Sequence, residues 1–170
     1  MSKEPWRCPQ LALLRLQSWL SPAFPTGAYS YSHSLEWAVE AGYIRDRESL
    51  VDWLDADLRF GSGRNEAIFF SEAWRSARDE NGAKLFEIAE LAAAFRGTSE
   101  FALESSQQGS ACRATLRQVW PEGFLESVSQ LLSERHVPAA LAIVLGIRSG
   151  REDIPLSFAS ESPELPQPQQ

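Results

Sequence analysis

Residues 20–42 read LSPAFPTGAYSYSHSLEWAVEAG. A leucine-rich helix is stopped at Ser21-Pro22, the chain crosses a bend holding Pro25 and Gly27, and an aromatic-rich helix restarts at about Ser30. Proline fixes φ and disfavours helix in the residue before it, so two prolines within four positions force an extended bend. Gly27 can take backbone angles closed to residues with a Cβ, which suits close approach of another segment. Phe24, Tyr29, Tyr31 and Trp37 crowd the same stretch. A rigid turn carrying large amphipathic rings is either the packing centre of a fold or a docking surface.

On either side of this turn the apolar residues keep helical spacing. Residues 1–9 are a polar lead-in with Pro5 and Pro9, expected to be flexible, and Gln10 to Leu20 places Leu13, Leu16 and Leu20 on one stripe. The second helix is expected to run to Ala41 and stop at Gly42, with Leu35, Trp37 and Val39 inward. Asp46 is placed to cap a third helix whose stripe is Leu50, Trp53, Leu54 and Leu58, ended at Gly61. A fourth runs from about Asn65 to Arg78 with Ala67, Phe70, Ala73, Trp74 and Ala77 on one face. Trp53 and Trp74 are expected in the core. After the turn 79–82, Lys84 to Phe95 forms a fifth helix with Leu85, Ile88, Leu91 and Phe95 inward. Thr98 or Ser99 caps a sixth that carries Phe101, Leu103, Cys112 and Leu116. Pro121 suits the first turn of a seventh, which holds Phe124, Val128, Leu131 and Leu132. Pro138 opens an eighth that is apolar nearly all round to about Gly146, the pattern of a helix enclosed by others. No window alternates with the period of a strand. The expectation is an all-α, single-domain helical bundle of about eight helices over residues 10–149.

From Gly150 the chain reads GREDIPLSFASESPELPQPQQ, with four prolines and no apolar stripe. Such composition cannot bury enough apolar surface to offset its ordering entropy, so residues 150–170 are expected to be disordered. The abrupt loss of periodicity marks Gly150 to Arg151 as the expected place of a frameshift or truncation, which would leave the eighth helix without neighbours.

The net charge of −7, from 16 basic and 23 acidic side chains, is the wrong sign for a nucleic-acid surface. Cys8 and Cys112 stand far apart and no signal peptide opens the chain, so a soluble cytoplasmic protein without disulfides is expected. Ser30 and His33, three apart, could pair as nucleophile and base of a small all-α hydrolase; the plainer reading is a helix cap and a surface histidine. The two histidines, His33 and His136, have no second His or Cys at helical spacing, which argues against an intramolecular metal centre. Gly61-Ser62-Gly63-Arg64 lacks the lysine and hydroxyl that end a phosphate loop, and reads as a helix connection. Arg96, Thr98, Glu100, Glu104 and Gln108-Gly109 cluster at a helix junction. A glycine inside a helix costs about 1 kcal/mol relative to alanine, which points to a close crossing at Gly109.

Pro22, Pro25, Gly27, Ala28, Tyr29, Ser30, Ser32, Leu35 and Glu36 match the signature turn of the urease accessory protein UreF family. Arg96, Thr98, Glu100, Glu104, Ser105 and Gly109 resemble its second block. The resemblance covers roughly Leu11 to Ile147, with Ser34 standing where the family usually has glycine. It implies a non-catalytic scaffold that dimerises with itself, binds UreD (UreH), and recruits the GTPase UreG to apo-urease for nickel insertion. It implies no stably bound cofactor, nickel being handled by the complex. Under that reading Tyr31, His33 and Glu36 are candidates for partner contact, while Pro22, Pro25 and Gly27 shape the turn. A helical adaptor unrelated to urease that shares the turn by convergence is the plain alternative.

Overall fold

The computed structural model describes residues 9–27 and 35–157. Among them lie eight helices and no strand: α1 (Pro9–Trp19), α2 (Leu35–Glu40), α3 (Arg47–Phe60), α4 (Ser62–Arg78), α5 (Gly82–Ala94), α6 (Ser99–Val119), α7 (Gly123–Glu134) and α8 (Leu141–Arg151). The all-α expectation holds.

The axis of the molecule is α8, buried at every position from Ala142 to Gly150. It lies along α4, with α6 crossing it and α7 touching it. Gly146 and Gly150 sit one turn apart on its α4-facing side. A Cβ at Gly146 would stand 2.5 Å from the Phe70 carbonyl oxygen, and one at Gly150 2.5 Å from that of Trp74. Opposite them α4 offers only Ala73 and Ala77 side chains. Small residues on both helices therefore let two backbones come into near contact, maximising dispersion and excluding water. Gly109 does the same for α6, where an added Cβ would collide with the Ala139 carbonyl entering α8. The crossing expected from that glycine is present. Leu85, Leu116, Ile143 and Ile147 fill the space around the axis. Complete burial of each such side chain is worth about 1.5–3 kcal/mol.

Several helix ends follow from local chemistry. The Asp46 carboxylate accepts from the Ser49 amide at 2.9 Å while the Ser49 hydroxyl takes the Asp46 amide, a reciprocal capping box. Those hydrogen bonds hold its carboxyl below the usual range. Thr98 caps α6 as expected, accepting from Phe101 N at 3.3 Å. Pro121 lies outside α7 rather than in its first turn, because Glu122 takes the cap position and accepts from Leu125 N at 2.7 Å. The Gly61–Arg64 connection is held by Asp57, whose carboxylate accepts from Ser62 Oγ and Gly63 N, each at 3.2 Å.

The C-terminal expectation needs correction. Helix α8 does not stop at Gly146, and it does not lack neighbours. It runs on to Arg151, and the elements that enclose it all precede it in the chain. The segment after it also packs: Ile154 is fully buried, and its carbonyl accepts from Trp74 Nε1 at 2.8 Å. Arg151 bonds Glu80 at 2.7 Å and Glu122 at 3.2 Å, and Glu152 pairs with both Arg148 and Arg15. Order through Leu156 thus rests on ion pairs and one anchor, features that an apolar-stripe criterion does not register. Residues 158–170 lie outside the described residues.

Arg148 is 4% exposed. Burial pulls its guanidinium below the usual arginine range, opposed by the Glu152 and Glu122 carboxylates. The cation also lies 5.7 Å over the Trp19 ring.

Candidate partner-docking cleft

An apolar cleft of about 790 Å³ is walled by α4, the start of α6, the start of α8 and the end of α1. Its floor includes Leu16, Phe69 and Leu145, which belong to the core. Its lips carry large side chains that remain exposed: Leu20, Leu58, Ile68, Phe95 and Phe101. Five such residues around one concavity form the kind of continuous apolar patch that monomers rarely leave open without a use.

Local sequence explains why these groups face out. Ala67-Ile68-Phe69-Phe70 places four apolar residues in succession on α4, which spans more than one helix face. Phe69 is buried and Ile68 is left at the lip. Phe95 is the C-cap of α5 and Phe101 lies in the first turn of α6, so both flank the elbow 95–98 and not a helix centre. Phe95 packs edge-on against Phe69 at 5.9 Å.

The elbow supplies the cleft's polar end. Arg96 pairs with Glu66 of α4 at 2.5 Å, and its second amino group is buried with no hydrogen-bond partner among the described residues. One turn into α6, buried Glu104 accepts from Gln108 Nε2 at 2.9 Å. Exposed Glu100 remains at the helix N-terminus. Its own amide and the Thr98 and Ser99 hydroxyls hold its carboxyl below the usual range. Of the polar cluster read from the sequence, the Arg96–Glu66 pair ties the α5–α6 elbow to α4, while Glu104–Gln108 and the Glu100 contacts are made within α6 and its cap.

The signature turn is described in part. Phe24 is buried, while Pro22 and Pro25 are exposed. Gly27 adopts φ +76°, and a Cβ there would meet nothing within 4 Å among the described residues. The left-handed backbone itself calls for glycine here. Glu36 is exposed on α2. Ser30, Tyr31 and His33 lie outside the described residues.

Trp37 and Val39, expected inward, are 56% and 55% exposed. Leu35, Trp53 and Trp74 are half-buried and not core. Leu91 and Phe95, also expected inward, are exposed, as are Phe101 and Leu103 of α6. Cys112 is buried, with its thiol pushed up to about 12 by desolvation, and acts as a small hydrophobe. Among the described residues no three His, Cys, Asp or Glu side chains converge as a metal site would require. None of the described helices is long and apolar enough to cross a membrane.

Fold and surface together define an all-helical protein with a glycine-packed axis and an open apolar cleft. Residues 44–160 match the UreF family model, and the chain belongs to that family, whose curated relatives are urease accessory proteins. It is 41% identical over 146 residues to urease accessory protein UreF of Magnetococcus marinus, covering 86% of this chain and 62% of that protein. With the namesake from Methylobacterium radiotolerans it shares 41% identity over 140 residues, 82% of this chain and 60% of the relative. The Rhodopseudomonas palustris protein is 39% identical over 146 residues, 86% and 60% respectively. The chain thus spans about three-fifths of the length of these relatives.

Proposed function

We propose that this chain is a non-catalytic scaffold of urease maturation in the cytoplasm. In this reading it forms a homodimer and assembles with UreD (UreH) and the GTPase UreG on apo-urease. Nickel is handled by the complex and not held by this chain alone. The observation that carries the reading is membership of the urease accessory family together with an open apolar cleft whose lips are exposed aromatic and aliphatic side chains. Interfaces draw their energy from buried aromatic and aliphatic anchors, and this cleft offers several on a rigid frame.

The test is co-expression of the chain with the UreD and UreG proteins of its source cell, followed by affinity purification and urease assay. Both partners should co-purify, and deleting the gene should lower urease activity while leaving urease subunit levels unchanged. Phe101→Asp, placed at the cleft lip, should reduce co-purification without unfolding the chain. Unchanged urease activity on deletion, with no partner retained, overturns the reading.

A further inference from the structure

A second open surface is built where α2 turns back onto α3. Trp37, Tyr43 and Trp53 form a ladder, with ring centroids 5.4 Å and then 6.4 Å apart. The turn that presents Tyr43 is fixed by its backbone. Tyr43 N and Ile44 N both donate to the Ala38 carbonyl, at 2.8 and 3.1 Å, and Gly42 takes φ +76°. Ala38 and Ile44 are buried and anchor it, while Tyr43 remains 62% exposed. The rings are therefore held in place before anything binds, which lowers the ordering cost of association.

The segment that carries the ladder is one-sided in charge. Residues 35–60 hold seven carboxylates and three arginines, and Glu36, Glu40, Glu48 and Asp52 are exposed. Two of those arginines are engaged: Arg59 pairs with Asp55 at 2.8 Å, and Arg45 Nε donates to the Gly42 carbonyl at 2.5 Å. Elsewhere the fold seats cations on rings, with Arg78 over Trp74, Arg148 over Trp19 and Arg151 over Phe124. Those contacts stack Arg on rings away from the ladder.

We propose that the Trp37–Tyr43–Trp53 ladder is a docking surface for a basic segment of a partner protein, whose lysine or arginine lies over the rings and pairs with Glu36 and Glu40. An aromatic face attracts a cation through its quadrupole, and neighbouring carboxylates strengthen that attraction. An apolar partner would desolvate the carboxylates without compensation, and an acidic one would be repelled. The scaffold reading bears only on which protein supplies the segment.

The experiment uses the intact chain and two short fluorescein-labelled amphipathic peptides, alike except for lysine or glutamate on the polar face. The lysine peptide should bind about tenfold more tightly at low salt. Trp37→Leu and Tyr43→Leu keep apolar area while removing the ring face, and each should weaken the lysine peptide about fivefold. Glu40→Gln should weaken it as well, whereas remote Glu90→Gln and Glu134→Gln should not. Equal binding of the two peptides, indifference to Trp37→Leu, or equal losses in the remote variants overturn the proposal. So does tighter binding on removal of residues 158–170, which would make the chain's own end the occupant. Self-association abolished by Trp37→Leu would assign the surface to a second copy, and likewise overturns it. None of these results touches urease activity, so failure here is distinct from failure of the scaffold reading.

Discussion

Helices α8 and α3 carry comparable apolar content and meet opposite fates. Every residue of α8 from Ala142 to Gly150 is buried, Arg148 included, while α3 buries none despite its stripe of Leu50, Trp53, Leu54 and Leu58. The difference lies in what each helix can approach. Glycines at 146 and 150 let α8 press its backbone against α4, and the earlier helices close round it. Helix α3 presents bulky groups without such a complementary surface, and Phe60 at its end is 85% exposed. An apolar stripe therefore states that a face needs a partner. Whether the partner lies in the same chain is a separate matter.

The largest test of this contrast is Gly146→Leu. No side chain fits beside the Phe70 carbonyl, so α4 and α8 must separate, with an expected loss of about 3 kcal/mol or more in urea unfolding. Gly82→Ala meets nothing within 4 Å and should be neutral or stabilising by up to about 1 kcal/mol. Equal effects of the two would show that the α4–α8 contact is not what closes the core.

Next in size is Glu152→Ala, which strips Arg148 and Arg15 of their shared carboxylate. Since Arg148 is buried and Glu152 partly solvated, about 2 kcal/mol is expected. Adding Arg148→Met to Glu152→Ala should recover part of it, because the uncompensated buried charge is then gone. No recovery would mean that residues 152–156 are held by Ile154 and not by the ion pairs.

Substitutions on α3 should scarcely register in stability. Leu54→Ser and Phe60→Ser are expected to stay within about 0.5 kcal/mol of the parent chain while raising solubility. A larger loss in thermal melts would place α3 against the core after all.

The smallest effect concerns acid. The folded-state carboxyl of Asp46 is depressed by its hydrogen bonds to Ser49, so its contribution is complete above the ordinary carboxylate range. It falls away as pH drops through the depressed value. The protection factor of the Ser49 amide should fall in acid, and Asp46→Asn, which can still cap without a charge, should flatten that dependence. An unchanged dependence in the variant would remove Asp46 as its source.

How far the sequence reached can be judged element by element. Periodicity located all eight helices, since turns and caps such as Asp46-Ser49, Thr98 and Gly61 are decided by neighbours within a few residues. Gly109 announced its crossing because a glycine inside a helix is costly without a reason. The cleft was hidden: Phe95 and Phe101 fit inward stripes, and only the succession Ile68-Phe69-Phe70 hinted that one large group must face out. The ladder was hidden too, because Trp37, Tyr43 and Trp53 come together through the turn at Gly42.

The sequence by itself determined the helices, their caps and the family, because these depend on short-range sterics, hydrogen bonding and residue order. Only the tertiary structure decided that α8 is the enclosed axis, that residues 150–156 pack, and that α2 and α3 remain at the surface. Those outcomes depend on which backbones can approach and which charges find partners far away in the chain. Such long-range complementarity leaves no periodic trace in the sequence.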